Sequence, residues 1–265
     1  MFAFLALFCR QKTPNFMVDV IQKIQAYDAT LIHVNKQCTS KLTSFFNVSQ
    51  EKVNEILSDS EWHKMAIVRN PIERMLSTWA EFCGTSSASG VRGKRCYGCE
   101  SDFGCFLKEN FLYLKSISQG IDDKESMTAD HFFPQFWHCD FQHHFADYKI
   151  FRLRKTKAFA EQIRAELVKY GIDAEMLTTG WGSNLDKPFF TLEYKRTQAF
   201  INREQDRTQS VQILKSDLTL LDTAFKTYFV DYIAFGHKLP VWVKKLCLNN
   251  KKPTMFLICR WYDRL

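Results

Sequence analysis

The run "HKMAIVRNPIERMLSTW", residues 63–79, does most to limit how this chain can fold. "HKMAIVR" (63–69) reads as a strand, with Ala66 to Arg69 running straight into Asn-Pro and then a helical pattern. Asn70 is placed to cap that helix. Pro71 takes its first position, where a missing N–H costs nothing, and Glu73 sets an acid in the first turn. Met75, Leu76, Trp79 and Phe82 then recur at helical spacing as the buried face. A strand that passes so abruptly into a capped helix is half of a βαβ unit, the builder of parallel sheets covered by helices. The alternation recurs along the chain. "ATLIHV" (29–34) reads as a strand, and a helix carrying Val53, Ile56 and Leu57 follows an N-cap at Ser49. "YKIFRL" (148–153) reads as another strand, with an amphipathic helix over 156–170 that stops at Gly171. The tail "SDLTLLDTAFKTYFVDYIAFG" reads as one long aromatic-rich helix. The expected fold class is therefore α/β, a three-layer sandwich with a mainly parallel sheet. A chain of 265 residues suits a single domain over 1–265, with a cysteine-rich insertion at about 83–139.

The opening "MFAFLALFC" is too short an apolar run to span a bilayer and has no basic residues before it, so it reads as a poor signal segment or, the favoured expectation, as a buried helix. Nine cysteines are many, and Cys83, Cys96, Cys99, Cys105 and Cys139 cluster in one segment. Such clustering means disulfides in an oxidising compartment or a metal site. Zinc would draw on Cys96, Cys99, Cys105, His131, His138 and Cys139, but no second C-x2-C or tight histidine pair completes a standard spacing, so disulfides are the favoured use and no metal is expected. Cys247 and Cys259 lie in a basic tail and fit either state. Asn47-Val48-Ser49 is a glycosylation sequon. The net charge of +7 is spread along the chain. It suits an anionic small ligand or polymer, and without a dense basic stripe or a nucleic-acid signature it gives no support for nucleic acid as a partner.

Two arginines and a hydroxyl surround the strand-to-helix junction. Arg69 stands at the carboxyl end of its strand, where ligands of parallel sheets bind. Arg74 and Ser77 are three apart on the following helix and share a face. Guanidinium forks and a hydroxyl are the chemistry for gripping a phosphate. The alternative use for the arginines is surface pairing with Glu73 and Glu81.

"VRNPIERMLSTW" resembles the 3′-phosphate-binding motif of sulfotransferases, R-[ND]-P-x-x-R-x-x-S, and matches it at Arg69, Asn70, Pro71, Arg74 and Ser77. "HFFPQFWHCDFQHHFADYKIFRL" resembles the H-[FW]-x-P-Q segment of Golgi carbohydrate sulfotransferases, the group that includes the chondroitin and HNK-1 enzymes. "CYGCESDFGCF" and "YFVDYIAFG" are similar to a nematode-type branch of that group. The resemblance runs over roughly residues 60–237 and implies a P-loop-like sulfotransferase fold. It also implies 3′-phosphoadenosine 5′-phosphosulfate (PAPS) as co-substrate and a carbohydrate acceptor, with chondroitin N-acetylgalactosamine the leading case. The implied location is the Golgi lumen or Golgi membrane, with a membrane anchor as in the family. By resemblance, Arg69 and Ser77 would hold the nucleotide 3′-phosphate, and Arg74 would join them or brace the turn.

Members of the family also carry an N-terminal strand–loop–helix that cradles the 5′-phosphosulfate. Two readings place it here. In one, "MFAFLALFC" is the helix that followed the loop and the loop lies upstream of this chain. In the other, "LIHVNKQCTSKL" supplies it, with Lys36 on the sulfuryl group and Thr39 or Ser40 on phosphate. The interval from Lys36 to Arg69 is close to the shortest a βαβ unit needs, ~30 residues. His131, which opens "HFFPQ", is the candidate base for the acceptor hydroxyl, since imidazole titrates near neutral pH. A member that binds glycan or nucleotide without turnover is the alternative function.

Overall fold

A computed structural model of the chain describes residues 5–10, 49–85, 96–119, 121, 129–138, 141–154, 156–171 and 198–249. In chain order the elements are β1 (Leu5–Arg10), α1 (Gln50–Ser58), β2 (Trp62–Val68), α2 (Pro71–Phe82), α3 (Phe103–Ser118), β3 (Tyr148–Arg152) and α4 (Lys157–Lys169). Then come α5 (Gln198–Ser216), α6 (Leu218–Thr227), α7 (Phe229–Phe235) and α8 (Val241–Asn249). The expected strand at 29–34, the sequon's Asn47 and the candidate residues Lys36, Thr39 and Ser40 lie outside the described residues. The chain forms two compact units, one from 2–69 and 137–195, the other from 70–136 and 196–265 together with Met1.

The first unit holds a three-stranded sheet in the order β1-β2-β3. β2 and β3 run parallel, with Lys64 opposite Tyr148 and Val68 opposite Arg152. β1 pairs antiparallel on the other side of β2, with Leu5 opposite Ile67 and Arg10 opposite Trp62. The sheet among the described residues is thus mixed. This corrects the expectation of a helix at "MFAFLALFC": an apolar run of that length has no caps to mark a helix, and the open edge of β2 supplies partners for its backbone. Central β2 is buried along most of its length, as a strand flanked on both sides should be. α4 begins at Thr156, whose hydroxyl accepts from Phe159 N, and ends at Gly171 in the left-handed region (φ 86°), both as expected.

The second unit is mostly helical. Ile72, Met75, Leu76 and Trp79 of α2 share one core with Phe103, Phe106 and Leu107 of α3, Leu214 of α5, Leu220 and Leu221 of α6, and Tyr232 of α7. α2 is capped as expected, with the Asn70 side chain accepting from Glu73 N. Asn70 also donates to Lys238 O at 2.8 Å and accepts from the Tyr232 hydroxyl, so the helix start is tied to the end of α7. Disulfide Cys83–Cys96 ties the residue after α2 to Cys96, and Cys99–Cys105 ties Cys99 to the first turn of α3. Cys83, Cys96 and Cys99 are buried in that same core, so these three cysteines belong to the unit's interior. Cys247 is disulfide-bonded as well. No helix among the described residues is long and apolar enough to cross a membrane.

Two helical expectations change. The tail helix breaks at Tyr228 into α6 and α7, because that residue adopts φ −113° and ψ 17° and turns its hydroxyl onto Phe132 O. α5 had no counterpart in the sequence pattern. Its buried row is Asp206, Ser210 and Leu214, one turn apart, so burial there is not marked by apolar spacing.

Candidate functional site

Arg69 directly follows β2 in the first unit and is half-buried; Ser77 lies on α2 in the second unit and is half-buried too. Arg74, three residues before Ser77, behaves differently. It is only 6% exposed. One terminal nitrogen donates to His131 O at 3.0 Å and the other to Phe133 O. Glu73 and Glu81, the expected partners of a surface arginine, instead pair with Arg207 and, at 2.8 Å, Arg203 of α5.

The carbonyls that Arg74 grips belong to "HFFPQF", 131–136, which forms 3₁₀ turns at Ala129–Phe132 and Gln135–Trp137. Tyr228 donates its hydroxyl to the carbonyl between them, Phe132 O, at 3.0 Å. Asp231 of α7 is fully buried; one carboxylate oxygen accepts from Gln135 N and the other from Phe136 N, both at 2.8 Å. Asn110 of α3 approaches the Tyr228 hydroxyl and accepts from the Tyr97 hydroxyl at 3.0 Å. Burial pushes the Asp231 carboxyl up, while the Arg74 charge and the two backbone donors pull it back. Burial likewise pushes the Arg74 guanidinium down, with Tyr228 and Asp231 opposing. It raises the Tyr228 hydroxyl, which stays protonated and can donate. On balance the Asp231 carboxyl is raised and the Arg74 guanidinium lowered, burial outweighing their mutual attraction.

His131 itself is half-buried, with its ring centroid 4.4 Å from that of Phe82. The structure thus brings Arg74 and His131 together through the latter's carbonyl. In the first unit His138 is buried, and His144 meets Asp147 at 3.1 Å. The zinc alternative loses its ligands, since Cys96, Cys99 and Cys105 are all in disulfides. Among the described residues no group of three or more ligand-type side chains gathers to hold a metal. Tyr228 and Asp231 were not among the expected site residues; the signal available was a lone acid inside the apolar run "YFVDYIAF".

A second charged cluster lies in the first unit. His63 of β2 stacks on Tyr170 at 3.6 Å and meets Glu166 of α4 at 3.1 Å, and Lys149 of β3 takes the other oxygen of Glu166 at 2.5 Å.

The family model described as the sulfotransferase family matches residues 3–238. The Caenorhabditis elegans protein vep-2, provisionally named a sulfotransferase, is 32% identical over 97 residues, 37% of this chain and 30% of that protein. The carbohydrate sulfotransferase chst-1 of the same organism is 29% identical over 91 residues, 34% of this chain and 28% of the relative. An uncharacterized protein of that organism, C18B2.2, is 24% identical over 185 residues, 68% of this chain and 48% of its own length. The matches thus span less than a third of the first two relatives and about half of the third. No solved structure matches the chain.

Proposed function

This chain belongs to the sulfotransferase family, and from that premise we propose that it transfers a sulfuryl group from PAPS to a carbohydrate hydroxyl, with chondroitin N-acetylgalactosamine as the leading acceptor. The observation that carries the proposal is the family match over 3–238 together with the complete Arg69–Asn70–Pro71–Arg74–Ser77 motif, set where β2 gives way to the capped N-terminus of α2. The donor chemistry suits an anion. Arg69 and Ser77 are each partly exposed, and a guanidinium with a hydroxyl is suited to a phosphate. In this reading Arg69 and Ser77 hold the 3′-phosphate, and Arg74 braces the adjoining structure. Lys36 neutralises charge on the sulfuryl oxygens, and Thr39 or Ser40 binds the 5′-phosphate. His131 takes the acceptor proton as the acceptor oxygen bonds to sulfur and the bond from sulfur to the bridging phosphate oxygen breaks. 3′-Phosphoadenosine 5′-phosphate leaves.

The fold proposed with this function is a P-loop-like three-layer sandwich forming one domain over 1–265. The successions β2–α2 and β3–α4 and the parallel β2–β3 pair support it. Disulfides support an oxidising compartment, so the proposed location is the Golgi lumen or membrane, with an anchor as in the family. Titration calorimetry with 3′-phosphoadenosine 5′-phosphate tests the site directly. Arg69→Ala should weaken binding by about 2–3 kcal/mol, roughly 30- to 150-fold, through lost charge-assisted bonds. Unchanged affinity would remove Arg69 from the site. Tight nucleotide binding without sulfuryl transfer to chondroitin or other glycans would favour a binding protein over an enzyme.

A further inference from the structure

Irregular segments normally satisfy their polar backbone groups with water or with one another. Residues 131–136 do neither at the positions that matter. His131 O and Phe133 O accept from Arg74, Phe132 O accepts from Tyr228, and the N–H groups of Gln135 and Phe136 donate to Asp231. Pro134 between them has no N–H to place. The path of the backbone is thus set by three side chains from α2, the α6–α7 junction and α7. One of the three stands on the helix that carries Ser77, a single turn before it.

We infer that Arg74, Tyr228 and Asp231 are positioning residues that fix His131 relative to the nucleotide-binding face of α2. The inference rests on the sulfuryl-transfer reading, in which His131 is the base and Ser77 a nucleotide contact. Its chemistry is specific to these residue types. Arg74 bonds the two carbonyls that flank Phe132, one from each terminal nitrogen, which a planar guanidinium can do and a single ammonium cannot do with the same geometry. Asp231 receives two adjacent N–H groups on separate oxygens, and an amide would turn an N–H toward one of them. The Tyr228 hydroxyl completes the set from a ring already packed in the core. A base displaced by ~1 Å from its productive position can cost about 100-fold in rate, whereas nucleotide affinity depends on contacts made elsewhere on α2.

The test uses the full chain with its disulfides intact and three variants: Arg74→Lys, which keeps the buried charge; Tyr228→Phe, which keeps the ring and removes only the hydroxyl; and Arg74→Ala. Nucleotide affinity is measured by calorimetry, turnover by sulfuryl transfer to the acceptor, and backbone protection by hydrogen exchange over 131–136. The expected result for Tyr228→Phe and Arg74→Lys is a drop in kcat of about tenfold or more, acceptor KM and nucleotide affinity within about twofold of wild type, and faster exchange at Gln135 and Phe136. Arg74→Ala should be slower than Arg74→Lys. Wild-type kcat in Tyr228→Phe and Arg74→Lys despite faster exchange would overturn the inference and leave the three residues as fold stabilisers alone. Equal losses of kcat and nucleotide affinity would overturn it too, by showing general damage to α2. A wild type that transfers no sulfuryl group would overturn the functional reading and this inference with it, whereas an active wild type with insensitive variants would overturn this inference only.

Discussion

A buried guanidinium needs acceptors, and Arg74 finds them in the carbonyls of His131 and Phe133, 57 and 59 positions away in the chain. A carbonyl looks the same whatever residue carries it, so no pattern of side-chain types could have named those partners. What was legible at residue level was the chemistry that depends on identity: the Asn70 cap, the Pro71 start and the arginine–serine spacing. His63 shows the same limit, since its partners Glu166 and Tyr170 lie on the far side of an insertion between β2 and β3. Burial holds the His63 imidazole below its ordinary range, although Glu166 pulls it upward and Lys149 and Lys169 push it further down. Burial alone would raise the Glu166 carboxyl, but Lys149, His63 and Lys169 outweigh it and hold it low. A histidine depressed in this way contributes stability above its unfolded value and loses it as pH falls; a depressed carboxylate loses its contribution at still lower pH. Both act in one direction. The unfolding midpoint should therefore drop as pH goes from about 7 to about 5, and His63→Phe, which keeps a ring on Tyr170, should make that drop smaller in thermal melts.

Helices announced themselves when end signals and apolar stripes agreed, as in α2 with its Asn70 cap and α4 with its stop at Gly171. α5 hid because the side it buries is polar. Asp206 accepts from the Thr85 hydroxyl at 2.7 Å, Arg203 and Arg207 reach Glu81 and Glu73 on α2, and only Leu214 continues the row as a hydrophobe. Such contacts are made between elements, so they leave no period in the sequence of either. The α5–α2 approach is close at Gly84. A methyl group there would run into the Asp206 carboxylate and lie 3.0 Å from Ala80 O. Gly84→Ala should accordingly cost about 1–3 kcal/mol in a denaturant titration, by displacing Asp206 from Thr85. An unchanged midpoint would mean that α5 shifts freely at this point.

Across the molecule, the clustered cysteines foretold disulfides but not their pairing, because several pairings fit one spacing and only the packed core of the second unit selects Cys83–Cys96 and Cys99–Cys105. Opening the Cys83–Cys96 link by serine substitution at both positions should cost about 2–4 kcal/mol, read as a lower denaturant midpoint of the purified variant. The parallel pair was legible from the strand–helix succession, whereas the antiparallel β1 was not, since its place is decided by a neighbouring edge. The second unit draws its interior from two distant stretches of chain, with Trp79 and Phe106 packed in one core with Leu221 and Tyr232. At a synthesis rate of about 5–20 residues per second, the earlier pair leaves the ribosome on the order of ten seconds before its partners exist. During that interval the apolar faces of α2 and α3 lack the α5, α6 and α7 side of their shared core. Nascent chains will therefore need a holding chaperone until α7 emerges, and a premature stop before Leu221 leaves a sticky fragment rather than a smaller working fold.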